Sequence, residues 1–244
     1  MVARVQGQSH PRYVRALGLR ASAEATAAQF DAATLDLDRA RTIVAQGKAD
    51  PAPAFRAFDL IAAKMDYLRG DYAQLRKHLA ASIAITQSSG SAAPVLFAWF
   101  ALSCEHSPGE GCGSDDVERA RQILADPKFA HDPDQLPARN ALARIDLLHG
   151  DANKAIEEVQ QGLTIALPEV GEKHSWVGEA HLLLGDANDA LHDAAAAERE
   201  YASAAAIANT SPPGHPLRIE TESRLARKRQ PASSAAPSAR QSKF

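Results

Sequence analysis

The sequence predicts an all-α chain, a stack of about five antiparallel helix pairs closed by a C-terminal capping helix. Three observations predict it. The first is a recurring turn: Leu147-Leu148-His149-Gly150-Asp151-Ala152 is matched 35 residues later by Leu183-Leu184-Gly185-Asp186-Ala187, and earlier by Tyr67-Leu68-Arg69-Gly70-Asp71-Tyr72. Glycine ends a helix because it takes the left-handed conformation at little cost, and the aspartate caps the next helix and suits its positive end. The second is a register of small residues. Ala63, Ala143 and Gly178 stand seven residues before the turn glycines, while Leu75, Ala155 and Ala190 stand five after them. These are the positions where two helices of a pair approach most closely. The third is composition. Of 244 residues 45% are hydrophobic but only 5% aromatic, and alanine is abundant, which favours helices packed through small side chains.

Used as a ruler, this register places first-helix contacts at Ala28, Ala63, Ala98, Ala143 and Gly178, and second-helix contacts at Ala40, Leu75, Ala120, Ala155 and Ala190. One interval is 45 rather than 35. A Gly/Pro-rich insertion of about ten residues between Cys104 and Ser114 accounts for it.

Taken in order, residues 1–12 form a polar segment, and 13–229 are the helical domain. Helices are expected over 13–30, with Val14, Leu17, Ala21 and Ala28 apolar, and over 33–46, with Leu35, Leu37, Ile43 and Val44. Gly47 and Pro51 stop this pair. The next pair covers 53–69, burying Phe55, Phe58, Ile61, Ala62 and Met65, and 71–86, burying Leu75, Leu79, Ile83 and Ile85. The helix over 92–103 is apolar on nearly every side, as a helix sandwiched between neighbours must be. Ser114 or Asp115 caps its partner, which Pro127 ends. A pair over 136–166 follows, then a fifth whose second helix runs from Asp186 to Asn209. A helix over 217–229 covers the last apolar face. The tail 230–244, rich in Ser, Ala and Pro, is expected to be disordered.

The period and the small-residue register resemble a tetratricopeptide repeat array over roughly residues 13–210. The resemblance implies a right-handed α-solenoid. It departs from the family in lacking most of the aromatics near the start of each first helix and the Leu-Gly pairs. Gly7-Gln8-Ser9-His10-Pro11, Gly171-Glu172-Lys173-His174 and Pro212-Pro213-Gly214-His215-Pro216 resemble the Gly-x-x-His-Pro linkers of kinesin-light-chain-like arrays, a subtype found attached to bacterial serine/threonine kinases and winged-helix regulators. The early position of the first linker reads as a chain that starts inside an array. The histidines themselves read as linker and cap residues, with Pro suited to the first helical position.

No catalytic pattern is found: there is no phosphate-cradling Gly-rich loop, His-Glu-x-x-His, nucleophile elbow or kinase catalytic loop. Asp36/Asp38 and Asp115/Asp116 read as solvent-facing or capping pairs. The reading is of a protein without catalytic residues, cofactor or metal. Net charge −3 gives no argument for nucleic acid, and the six Lys or Arg between Ser223 and Phe244, with no interleaved aromatic, read as a solvated helix end. The longest apolar block, Val95 to Leu102, is far short of the roughly 20 residues that cross a bilayer. With no signal-peptide pattern at the start, a cytoplasmic location is expected. Cys104 and Cys112 can remain thiols, close a disulfide, or join His106 in holding a metal. A reducing cytosol favours thiols.

Binding is the remaining class. In the resembling family the first helices line a concave groove, and the residue after each small position points into it, which here nominates Gln29, Lys64, Trp99, Arg144 and Glu179, with Tyr67 and Asn140 beside them. Lys64 and Arg144 flanking Trp99 suit an extended peptide bearing an acidic group and an apolar anchor. Trp99 reads somewhat better as core, with Lys64 and Arg144 laying their stems over apolar neighbours. The expected function is a non-enzymatic scaffold for a protein or peptide partner in a bacterial signalling assembly. The alternative is a sensory arm of a kinase or transcriptional regulator that binds a small ligand or an effector domain.

Overall fold

The computed structural model describes residues 11–47, 52–89, 94–109 and 111–229, and among them every regular element is helical. The helices are α1 Pro11–Thr26, α2 Phe30–Ala45, α3 Ala52–Arg69, α4 Tyr72–Ser89, α5 Pro94–His106, α6 Asp116–Leu124, α7 Gln135–Leu148, α8 Ala152–Val170, α9 Ser175–Ala190, α10 Ala194–Ala208 and α11 Pro216–Arg229. A 3₁₀ turn at Pro127–Phe129 precedes α7. The N-terminal residues 1–10, the tail 230–244 and the side chains of Phe55 and Ile85 lie outside the described residues.

Helices adjacent in sequence pack against each other, except α6 and α7, and odd-numbered helices also meet: α1 with α3, α5 with α7, α7 with α9, and α9 with α11. Two apolar cores result. Leu17, Ala21, Ala33, Leu37 and Phe58 belong to a small one around α1, α2 and one face of α3, with Ala62 and Met65. The other face of α3, through Ala63 and Tyr67, opens the large core that continues to Leu217. Neighbour contacts are joined by distant ones: α3 meets α9 through Tyr67 and Trp176, and the start of α11 meets the end of α1 through His215 and Thr26.

Four turns share one construction. At Ala28, Gly70, Gly150 and His192 the backbone takes φ of 56°, 70°, 83° and 63°. The next amide returns to the carbonyl five residues back: Gln29 to Glu24, Asp71 to Asp66, Asp151 to Asp146 and Asp193 to Asn188, at 2.8–2.9 Å. This is the hydrogen-bond signature of a left-handed helix stop. Two of the four are not glycine, and a Cβ in this conformation costs about 1–2 kcal/mol. Asp71 and Asp193 then cap the following helices, accepting from the amides of Gln74 at 3.1 Å and Ala196 at 2.9 Å. Asp151 instead meets Lys154.

These turns correct the 35-residue ruler at both ends. Gly185-Asp186 is not a turn. It lies inside α9, where the Tyr201 ring covers Gly185, and Asp186 accepts from the Tyr201 hydroxyl at 2.8 Å. The true stop is His192, seven residues after Gly185 and five before the buried Ala197. Ala190 is exposed rather than a contact. Ala28 is likewise the first stop, and Ala21 and Ala33 are its buried partners. The offsets hold, but at the two ends they are measured from different residues. Ala28 to Gly70, and Gly150 to His192, are each 42 positions. Ala63, Ala98, Ala143 and Gly178 are buried, as are Ala40, Leu75, Ala120 and Ala155. Leu35, expected inward, is 70% exposed, and Asp36, expected outward, is buried against Arg20.

Candidate functional site

Six nominated residues come together: Lys64, Tyr67, Trp99, Asn140, Arg144 and Glu179. Lys64 and Tyr67 lie three apart on α3, and Asn140 and Arg144 four apart on α7, so each pair shares a helix face. Trp99 of α5 stands between them. Its ring stacks on Tyr67 at 4.9 Å between centroids and lies 6.1 Å from Trp176 of α9. Tyr67 also meets Trp176 edge-on at 5.7 Å. Three aromatic rings in mutual contact form the hard centre of the cluster.

Glu179 is the residue the others converge on. It is buried, and a carboxylate in such a place must be paired and hydrogen-bonded. Its Oε1 accepts from the Tyr67 hydroxyl at 2.7 Å and from Arg144 Nε and Nη2 at 2.9 and 2.7 Å. Its Oε2 accepts from Asn140 Nδ2 at 3.2 Å, and the same amide group reaches the Trp176 carbonyl at 3.0 Å. Arg144 extends further, with Nη1 and Nη2 each 3.4 Å from Glu220 Oε2 on α11. Burial pulls the Arg144 guanidinium down, but Glu179 and Glu220 outweigh it and hold the group well above its ordinary value. Burial pushes the Tyr67 hydroxyl up strongly, and Glu179 adds to the rise.

Lys64 sits at the edge. Its Nζ donates to Thr26 Oγ1 at 2.7 Å and lies 5.6 Å from the centre of the Trp176 ring. Burial lowers its pKa. Gln29 is not part of the cluster: it is exposed at the turn between α1 and α2. The cavity inside the cluster, bounded by Tyr67, Arg144, Trp176, Glu179, His215 and Glu220, is about 30 Å³. That holds a water molecule, far below the roughly 300 Å³ at which small-molecule sites begin.

The two described linker histidines have one role. His174 Nδ1 accepts from the Trp176 amide and His215 Nδ1 from the Leu217 amide, both at 3.2 Å, so each caps the helix it precedes. His215 Nε2 therefore carries the proton it donates to the Thr26 carbonyl at 3.0 Å, tying the start of α11 to the end of α1. Burial lowers the pKa of both rings. His10 lies outside the described residues.

Sequence reasoning missed Trp176 and Glu220. Trp176 was legible as the second residue after a capping histidine. Glu220 was not, because nothing in α11 itself says which residue meets α7.

Cys104 and Cys112 form a disulfide, with Cα atoms 5.6 Å apart. The expectation of free thiols is corrected. Cys104 is buried at the end of α5 and the insertion folds back beside it, which fixes the geometry that spacing alone left open. Among the described residues no group of His, Cys, Asp and Glu is arranged to hold a metal ion, and no helix is long and apolar enough to cross a membrane. Compared with protein families, with curated proteins and with solved structures, the chain finds no match.

Proposed function

We propose that the chain is a non-enzymatic interaction scaffold: a tetratricopeptide-like solenoid of helix pairs, kinesin-light-chain-like in its linkers, that binds a protein or peptide through the groove lined by its first helices. The observation that carries this reading is the pair of partly exposed cations, Lys64 and Arg144, at the edge of a cluster whose Tyr67, Trp99 and Asn140 are buried beneath them. The buried residues seven before and five after each left-handed stop support the repeat reading. A water-sized cavity speaks against a small ligand at this place, the alternative sensory role.

Arg144 is where an acidic partner engages. One of its carboxylates, Glu179, is fixed by two other groups, Tyr67 and Asn140; the other, Glu220, is at 3.4 Å and its side chain is 32% exposed. A partner's carboxylate replaces Glu220 with a closer, charge-assisted bond, and Lys64 adds a second cation at the rim. The test is capture of partners by wild-type and Glu220→Gln protein at low and moderate salt. Glu220→Gln frees part of Arg144 and strengthens capture of an acidic partner by a few-fold. Unchanged or weaker capture of every partner overturns the assignment of Arg144.

A further inference from the structure

Outside the cluster, the molecule places one more reactive group beside one more cation. The disulfide joins Cys104 at the buried end of α5 to Cys112, which is half-buried in the following loop. Arg76 of α4 enters this loop. Its Nη1 donates to the Ser107 carbonyl and lies 4.0 Å from Cys112 Sγ. The loop backbone is packed so closely on the guanidinium that a Cβ at Gly109 would overlap it. Gly111 holds φ of 86° and brings the chain back over the Phe100 ring. The loop therefore closes around Arg76, and the cation faces one of the two sulfurs and not the other.

We infer that Cys104–Cys112 is a thiol-exchange site, at which a dithiol reductant attacks the Cys112 sulfur and Arg76 draws in and stabilises the attacking thiolate. The two sulfurs are not equivalent. Cys104 is shielded within α5, whereas Cys112 is the more accessible and carries the positive charge beside it. Thiolate attack depends on access and on the charge field at the sulfur. In the first step the reductant's thiolate forms a bond to Cys112 Sγ, the Cys112–Cys104 bond breaks, and Cys104 leaves as a thiolate that takes a proton from solvent. In the second, the reductant's other thiol loses its proton and attacks its own partner sulfur, releasing Cys112 as a thiolate beside Arg76. The reductant leaves as a disulfide, and two electrons have passed to the chain.

The test uses the full chain and dithiothreitol. The folded protein, monitored by circular dichroism, is titrated with dithiothreitol and its thiols are counted by alkylation and mass spectrometry. Exchange at Cys112 predicts reduction while the helices remain folded. In Cys104→Ser protein the remaining thiol reacts with iodoacetamide at pH 7 about fivefold faster than in Cys104→Ser/Arg76→Gln, from the attraction of unit charges 4 Å apart in water. Arg76→Lys keeps most of that advantage, which separates charge from loop packing. Trapping the native disulfide with glutathione places the adduct on Cys112. A bond that resists dithiothreitol until the helices unfold, equal alkylation rates with and without Arg76, or an adduct on Cys104 overturns the inference.

Discussion

Gly185 distinguishes the two registers by the sign of one substitution. In the structure it is a helix-interior residue whose missing Cβ makes room for Tyr201: a Cβ there would lie 2.5 Å from two ring carbons and 3.1 Å from a third. Gly185→Ala gains about 0.8–1.0 kcal/mol of helix propensity. Overpacking against a buried ring costs about 1–3 kcal/mol. The net expectation is a loss of about 1 kcal/mol. Removing the ring exposes the propensity term alone, so in a Tyr201→Ala background Gly185→Ala stabilises by up to about 1 kcal/mol. Gly150 is the control. Its φ is 83° and nothing lies within 4 Å of an added Cβ, so Gly150→Ala costs about 1–2 kcal/mol from backbone strain in either background. Urea unfolding followed by circular dichroism measures all six proteins. If Gly185→Ala destabilises equally with and without the Tyr201 ring, Gly185 is a left-handed stop and the register anchored on His192 is wrong.

Two further outcomes concern the cluster and the linkers. Arg144→Ala leaves the buried Glu179 without its cation and costs about 3–5 kcal/mol, which Glu179→Gln in the same protein partly restores; the midpoint of urea unfolding reads both, and independent effects contradict the pairing. The linker histidines make stability fall with acid. His174 and His215 have folded pKa values lowered by burial, so their neutral forms contribute fully above the unfolded value of about 6.5, and that contribution is lost as pH falls from there toward the folded values. His78 acts oppositely, since its hydrogen bond to Asp66 raises its pKa and its contribution is present at low pH and lost as pH rises through the folded value. Urea unfolding at pH 7.5 and 5.5 therefore shows a smaller acid loss in His215→Asn than in wild type, and an unchanged loss contradicts the capping role of the neutral ring.

The helical character and most element positions were legible because they depend on local signals: small residues at fixed offsets, caps and apolar periodicity. Ala63, Gly70 and Leu75 show how far that goes, since each occupies the place the turn pattern assigns. The ends differ where two strings carry similar turn chemistry. Leu-Gly-Asp at 184–186 has the residues of a helix stop, yet α9 runs through it, the missing Cβ of Gly185 making room for the Tyr201 ring, and a histidine takes the left-handed position instead. Ala28 was hidden for the same reason, because alanine does not announce a positive φ. In the cluster, the α3, α5 and α7 residues could be named from the register together with the family resemblance. Their closure by Glu220 could not, because it depends on where α11 lands. The disulfide was undecided by an eight-residue spacing, which only the fold-back of the insertion resolves.

The proposed docking surface is the face formed by the first helices. A photo-crosslinking amino acid placed at Lys64, on that face, and in a second protein at Gln160, exposed on α8, tests it directly in cells of the source organism. The expected result is a specific crosslinked partner from position 64, diminished by added salt, and none from position 160. Crosslinking from position 160 with none from position 64 would contradict the proposal and move the working surface to the second helices.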